Sequence, residues 1–354
     1  MTTSLDEAPD QVTAQAAPRR ARRPWGRLFL ALAVLLLAAL LAAWLQRRTI
    51  AREFVDRELS RRGVRAQYEI EQLSPWHQRL TNLVVGDPRD PDLVADWVEL
   101  GTALSPWGAE VLELRAGRVR MKGRITQGQL SLGAIDRLMP PPSGKPFALP
   151  HLKLDLADAR LRLDSGHGIV DVALAGRGML DDGFAGRARV AAPRLDLAGC
   201  AASGVAGTFG LQIRRARPGV AGTLAASQLQ CANGRAMAPK VAVRATLGAA
   251  LDSWAGTADL ALTGLEMQGR RVSDIRGRVA FHGGARDTRG QIALRSGRFE
   301  APEAAAAALH LAGDFGLRPE GFDYRGKLVA RGASLSRPLR AKLGGYATTA
   351  QGTP

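Results

Sequence analysis

HLKLDLADARLRLD, residues 151–164, is the stretch of this chain that decides the fold. Leu152, Leu154 and Leu156 alternate with polar residues, and Leu161 and Leu163 then alternate in the opposite parity. Because the side chains of a strand point to its two faces in turn, the change of parity across 157–160 predicts a turn or a bulge between two strands.

The same pattern continues on both sides of this stretch. It recurs, with RAGR or RSGR between its two halves, at Leu112, Leu114, Val119 and Met121 and at Ile292, Leu294 and Phe299. Further alternating runs lie at Val170–Leu174, Val241–Leu247, Asp259–Leu262, Val279–Phe281 and Lys327–Ala330, separated by turns such as 181–183. Together these runs predict an all-β region of roughly eighteen short strands after Gly63, with no convincing helix. A sandwich, a barrel and an elongated antiparallel sheet all fit, and the weak repeat of strand–turn–strand units favours the elongated sheet.

A second decisive stretch is LFLALAVLLLAALLAAWL, residues 28–45, which contains no charge. At 1.5 Å per residue it is about 27 Å long, close to the apolar thickness of a bilayer. Trp25 and Trp44 lie where an aromatic belt is expected. A cleaved signal peptide is the alternative, but its apolar core is normally about 7–15 residues. A buried core helix is a second alternative, and the flanking arginines disfavour it. We therefore predict an uncleaved transmembrane anchor.

The anchor divides the chain into segments. Five arginines lie within ten residues before it and three within ten residues after it, which favours a cytoplasmic N-terminus and a periplasmic C-terminal part. Gly63 is placed as a helix cap after apolar residues at helical spacing. The predicted segments are a disordered basic tail at 1–27, the anchor at 28–45, an amphipathic connecting helix at 46–63, an anchor-proximal β region at 64–139, a Pro-rich linker at 140–150, the main repetitive β region at 151–344 and a polar tail at 345–354.

The chain carries a formal charge of +16, which favours anionic partners such as lipid headgroups or nucleic acid. Nucleic acid is disfavoured because aromatic residues, which stack on bases, make up only 5% of the chain. The predicted export of the β region disfavours it further. Arg118, Arg120, Lys122 and Arg124 share one strand face, which is interpreted as a solvated outer face.

No catalytic or metal-binding pattern is evident in the sequence. The five histidines are scattered, and SGKP at 143–146 lacks the first glycine of a phosphate-binding loop, so a linker is the better interpretation. We therefore expect no enzyme activity, no metal and no cofactor. Cys200 and Cys231 are the only cysteines, and either a disulfide in an oxidising compartment or two small buried thiols fits them.

The order of these features resembles a known family. A single anchor, RELSRRG at 57–63, YEIEQL at 68–73, LSLGAIDRLMPPPSGKPFALP at 130–150 and LDLADARLRLD at 154–164 are similar to YdbH-type members of the AsmA-like family, over about residues 28–200. The resemblance implies an inner-membrane-anchored bacterial protein with a U-shaped periplasmic sheet whose apolar groove carries phospholipids between the inner and outer membranes. It implies no catalytic residue.

The resulting hypothesis is a single-pass inner-membrane protein that shields phospholipid acyl chains in a β-groove. A non-enzymatic envelope scaffold is the alternative, and a periplasmic or outer-membrane partner protein is compatible with both. Because family members are longer, the chain being a fragment or one half of a relay is a further possibility. Eighteen strands at about 4.8 Å each predict a groove of roughly 85 Å. The alternation nominates as groove residues Val119, Met121, Leu152, Leu154, Leu156, Leu161, Leu163, Val170, Val172 and Leu174.

Overall fold

The computed structural model describes residues 56–337 apart from Glu58, Pro75, 106–107, 127–128, 139–146, Ala198 and Ala285. The predicted basic tail, the anchor, residues 46–55 of the predicted connecting helix, most of the Pro-rich linker, residues 338–344 of the predicted main β region and the polar tail lie outside the described residues. Within the described part, no helix has the length and apolarity that crossing a membrane requires.

The described chain is almost entirely β, as the alternation predicts. Twenty-two strands form one sheet, and one short 3₁₀ helix, η1, spans Gly133–Leu138. The strands are β1 (Ala66–Leu73), β2 (His77–Asp87), β3 (Asp90–Ser105), β4 (Gly108–Gly117), β5 (Val119–Thr126), β6 (Gln129–Ser131), β7 (Lys153–Ser165), β8 (Gly168–Met179), β9 (Ala185–Leu197), β10 (Cys200–Arg214), β11 (Arg217–Ala225), β12 (Gln228–Cys231), β13 (Gly234–Met237), β14 (Lys240–Leu247), β15 (Ser253–Met267), β16 (Arg270–Gly284), β17 (Thr288–Arg295), β18 (Phe299–Glu300), β19 (Ala304–Ala306), β20 (Ala308–Arg318), β21 (Gly321–Arg331) and β22 (Ser334–Leu335).

The sheet is a ladder in which chain order is also spatial order. Six pairs of strands lie end to end (β4–β5, β11–β12, β13–β14, β17–β18, β19–β20 and β21–β22) and nine strands stand alone. With β6 set aside as a short hairpin on β5, these make fifteen levels, which we call rungs. Each rung pairs with the rung before it and the rung after it.

One junction corrects the prediction of a purely antiparallel sheet. β7 runs parallel to both β4 and β5, with Leu154 opposite Leu114 and Leu161 opposite Met121. A parallel pair needs a long crossover, and the chain between β5 and β7 contains β6, η1 and the Pro-rich linker. Hydrogen bonding therefore continues across the linker.

The change of parity across 157–160 is a bulge inside one strand. In β7, Leu156 lies opposite Gly176 and Ala159 lies opposite Leu174, so two residues of β7 face one residue of β8. A bulge of this kind bends the strand and resets its alternation. Leu156 and Leu161 consequently point to the same face of the sheet.

Similar irregularities cross the other rungs along what we call the bend line. Positive φ angles occur in or between strands at Asn82 (54°), Arg118 (51°), Ala238 (47°) and Asp274 (47°), values that are uncommon for residues other than glycine. Gly204 (60°), in β10, also belongs to this line. Because neighbouring rungs are irregular at adjoining positions, the sheet is creased across its strands, which is consistent with the U shape that the resemblance implies.

Most of the best-buried side chains are Ala or Val, and two clusters of them lie beside the bend line, whereas the larger Phe184 is buried just before β9. Ala95, Ala116 and Val119 form one cluster, and a second one consists of Ala192, Ala202 and Val205. No polar or charged side chain of the described residues is buried. The crease brings side chains together where it bends the sheet, whereas the rest of the sheet has no thick core.

The start of the β region is closed by a helix cap and by η1. Residues 59–61 are helical, and the amides of Gly63 and Val64 donate to the carbonyls of Ser60 (3.0 Å) and Leu59 (2.9 Å). Gly63 has a φ of 64°, which fits the predicted role of a glycine cap. The Arg137 guanidinium of η1 donates to the Gly63 carbonyl at 2.6 Å.

Candidate functional site: the apolar face of the sheet

Register, more than sequence, shows how the apolar side chains are arranged. Residues that pair directly across neighbouring strands point to the same face of the sheet. Following these pairs from β1 to β21 gives one residue in each of the fifteen rungs, and each is apolar or glycine. This first row consists of Ala66, Val85, Leu93, Met121, Leu161, Val172, Val190, Gly207, Leu224, Val241, Leu260, Gly277, Leu294, Leu311 and Leu328.

Two more rows lie beside the first, and they contain no charged residue. The second row consists of Leu83, Ala95, Val119, Ala159, Leu174, Ala188, Phe209, Gly222, Val243, Ala258, Val279, Ile292, Gly313 and Gly326. The third row consists of Ile70, Leu80, Val98, Ala116, Leu156, Gly176, Gly186, Leu211, Val220, Ala245, Gly256, Phe281, Gly290, Phe315 and Tyr324. We call the three rows together the apolar face.

The apolar face is half-buried, and the residues that the structure describes put no second layer over most of its length. Leu161, Leu260 and Leu294 are neither fully buried nor fully exposed. Apart from residues 56–57, 59–61 and 337, which are helical, η1 is the only element other than strands among the described residues, and it packs against β2, β3 and β5. At the far end, Leu328 of β21 is 64% exposed. An uncovered apolar surface of this extent indicates an interaction site.

Glycines within the rows make room for large side chains. A Cβ atom added at Gly222 would lie 2.5 Å from a ring carbon of Phe209, and one added at Gly290 would lie 2.7 Å from the ring of Phe315. Each ring therefore lies down over the glycine of the neighbouring rung. The rings therefore add aromatic surface to the apolar face while lying flat against the sheet.

The opposite side of the sheet, the charged face, is organised by ion pairs. Arg278 Nε donates to Asp259 Oδ1 at 2.7 Å, and this hydrogen bond lowers the pKa of Asp259. Hydrogen bonds from Arg271 and then Arg235 lower the pKa of Glu266 in the same way. Because these charges are confined to one side, the sheet is amphipathic along its whole length.

The nominated groove residues all lie on the strands or strand margins of this face. Met121, Leu161 and Val172 belong to the first row, Val119 and Leu174 to the second, and Leu156 to the third. Leu163 pairs with Val170 beside the first row, and Leu154 lies two residues before Leu156. Leu152 precedes β7, and its carbonyl accepts a hydrogen bond from the Leu180 amide at 2.9 Å.

The nomination missed most of the face beyond β8. Phe209, Leu260, Phe281 and Phe315 are examples, and each lies in an alternating stretch of sequence. Glycine stands at many inward positions there, so the apolar alternation is weaker than in β7. Counting glycine as an inward residue would have revealed the rows.

Cys200 and Cys231 face each other across β10 and β12 and form a disulfide with an S–S distance of 1.99 Å. Their Cα atoms are 4.0 Å apart. The bond joins the first residue of β10 to the last residue of β12. It therefore ties two neighbouring rungs together at one margin of the sheet.

The described residues contain no group of three or more His, Cys, Asp or Glu side chains that could hold a metal ion. An open hollow of about 850 Å³ is lined by charged-face residues of β5 and β7–β9 and also by Met121, Leu161, Val172 and Leu174 of the apolar rows. The apolar face itself offers apolar side chains and glycines for hydrophobic contact.

A long one-layer sheet with one continuous apolar face and one charged face defines a class of β-protein suited to holding apolar ligands. The comparison with known families makes the assignment more specific. This chain belongs to the YdbH-like family, because the model described as "Intermembrane phospholipid transport protein YdbH" matches residues 34–325. The predicted resemblance is thus confirmed and extends well beyond residue 200. No curated protein and no solved structure matches the chain.

Proposed function

We propose that this protein is an inner-membrane-anchored carrier that shields phospholipid acyl chains along the apolar face while lipids pass between the inner and outer membranes. Family membership gives intermembrane phospholipid transport as the general function. The observation that carries the proposal is the set of three uninterrupted apolar rows. Burying acyl methylenes on this face stabilises the complex by about 0.8 kcal/mol per CH₂ group.

The dimensions fit a conduit better than a single pocket. Fourteen intervals between fifteen rungs, at about 4.8 Å each, make a path of about 67 Å along the sheet. This replaces the 85 Å expected from eighteen strands, because several strands lie end to end in one rung. A path of this length holds more than one lipid or one lipid at successive positions.

An envelope scaffold is the alternative function. A scaffold would cover its apolar face with another layer, and the described part of the chain provides such contacts only near η1. The amphipathic sheet therefore favours a carrier. A periplasmic or outer-membrane protein that receives the lipid is part of the proposal.

Site-specific photocrosslinking in cells tests the carrier. Leu294 and Ala293 are neighbours in β17 and lie on the apolar and charged faces. With benzoylphenylalanine at 294 we expect crosslinked phospholipid, identified by mass spectrometry, and with the same residue at 293 only background. Equal crosslinking at both positions, or none at 294, would reject the carrier and favour the scaffold.

Reporter fusions test the proposed location. The anchor at 28–45 should place an alkaline phosphatase fused after Pro354 in the periplasm, where it is active, and leave a fusion at Ser4 inactive. The reverse pattern would contradict an inner-membrane protein with a periplasmic sheet.

A further inference from the structure

The charged face carries a cluster of cations that the proposed binding of acyl chains on the apolar face does not use. We call it the basic patch, and it surrounds an open hollow of about 850 Å³ on β5, β7, β8 and β9. The uncharged lining of the hollow includes the alanines Ala157, Ala173, Ala175 and Ala191, together with Met121, Leu161, Val172 and Leu174 of the apolar rows. The cations are Arg120, Lys122, Arg160, Arg162, Arg187 and Arg189, against Asp158 and Asp171 as the acids of the lining.

Like charges are placed directly opposite each other in this patch. Arg120 pairs across the strands with Arg160, and Lys122 pairs with Arg162. Directly opposed like charges destabilise a sheet. Asp158 compensates part of this repulsion, at 3.1 Å from Arg120 and 3.5 Å from Arg160.

The other half of the patch is compensated only in part. Lys122 forms an ion pair with Asp90, and Asp171 lies directly opposite Arg162 across β7 and β8. Arg162, Arg187 and Arg189 are exposed and have no ion-pair partner among the residues that the structure describes. The remaining repulsion between these cations destabilises the sheet, and an anionic partner would relieve it.

The excess charge ends abruptly at the next rungs. Arg189 lies opposite Thr208 of β10, and Arg187 lies opposite Gly210. On β11 the corresponding residues are Thr223 and Ala221. The basic patch is thus a local feature of four rungs, about 14 Å across at 4.8 Å per interval, rather than a property of the whole charged face.

We propose that the basic patch docks on the phosphate-bearing headgroups of an anionic phospholipid bilayer, through the side of the sheet opposite the apolar face. Guanidinium groups bind phosphate oxygens in pairs, and five of the six cations are arginines. The hollow is open and broad, so the flat surface of a membrane can approach the cations around it. No aromatic residue lines it, so base stacking has no platform and nucleic acid is disfavoured.

Vesicle association of the full-length protein tests the docking. The protein is held in neutral phosphatidylcholine nanodiscs and mixed with labelled vesicles containing phosphatidylglycerol. Each cation near an anionic surface strengthens binding about fivefold, so Arg162→Gln, Arg187→Gln and Arg189→Gln together should weaken association roughly a hundredfold. The matched control is Arg244→Gln, Arg276→Gln and Arg295→Gln, three exposed arginines of the charged face outside the patch, and it should retain most of the association.

Equal losses in the two triple variants would overturn the proposal, because general positive charge would then explain the binding. Unchanged association in the patch variant would overturn it as well, provided that circular dichroism shows a folded sheet. Binding of a single-stranded oligonucleotide in place of vesicles would identify a different partner. Lipid crosslinking from position 294 is measured in the same samples, and its loss alone would count against the carrier and not against the docking.

Discussion

Leu260 is the eleventh of the fifteen residues in the first apolar row and lies between Val241 of β14 and Gly277 of β16. If acyl chains travel along this row, a carboxylate at position 260 interrupts their path. Leu260→Asp is therefore expected to stop lipid transfer while leaving the rungs on both sides intact. The matched control is Ala261→Asp, the next residue of β15 on the charged face, where the new carboxylate would lie between Lys240 and Arg276.

The size of the effect follows from the contacts that are lost. A carboxylate that keeps its water displaces about three methylene groups of a bound acyl chain, at about 0.8 kcal/mol each. The loss of about 2.4 kcal/mol corresponds to roughly 60-fold weaker local binding. Leu260 is half-buried, so the free energy of unfolding should fall by only about 1 kcal/mol, about half the value for burying a leucine fully.

The assay is transfer of a fluorescent phospholipid between donor and acceptor vesicles, with the full-length protein in the donor membrane. Circular dichroism and urea unfolding establish that both variants are folded. Transfer by Ala261→Asp should stay near that of the unmodified protein. If folded Leu260→Asp transfers lipid within twofold of the unmodified protein, acyl chains do not follow the first row and the proposed path is wrong.

Two further predictions concern links at the margins of the sheet. Reducing the Cys200–Cys231 disulfide, or replacing both cysteines by alanine, should lower the free energy of unfolding by about 3.7 kcal/mol, because the bond closes a loop of 31 residues. Urea titration with and without reductant measures this loss, and an unchanged midpoint would contradict it. The hydrogen bond and charge of Asp181 raise the pKa of His151 above its ordinary 6.5. This contribution to stability is present below pH 6.5 and is lost as pH rises through the raised pKa; an NMR titration of His151 should show the raised midpoint, and Asp181→Asn should return it towards 6.5.

Alternation predicted much of this fold because one side of the sheet is apolar and the other charged. In β7 it placed Leu154, Leu156 and Leu161 correctly in strand, and it located the irregularity at 157–160. It did not distinguish a turn from a bulge at this position, because both change the parity of the alternation. Only the pairing with Gly176 and Leu174 of β8 shows that the chain continues in one strand.

The rest depends on interactions that alternation does not encode. The parallel pairing of Met121 with Leu161 is set by how the long β5–β7 connection returns to the sheet. The rows themselves depend on the register at every junction, and a shift of one residue would exchange the two faces. Glycines such as Gly207 and Gly277 also conceal inward positions, because their role is to admit a neighbouring side chain.

The sequential order of the rungs gives this molecule a simple rule of growth. Each rung binds only the one before it and the one after it, so a β-hairpin can be inserted or deleted with repair at a single junction. One hairpin adds two rungs, preserves strand direction and lengthens the sheet by about 10 Å. Evolution can therefore tune the reach of such a protein in steps of one hairpin, matching the number of repeats to the distance to be crossed.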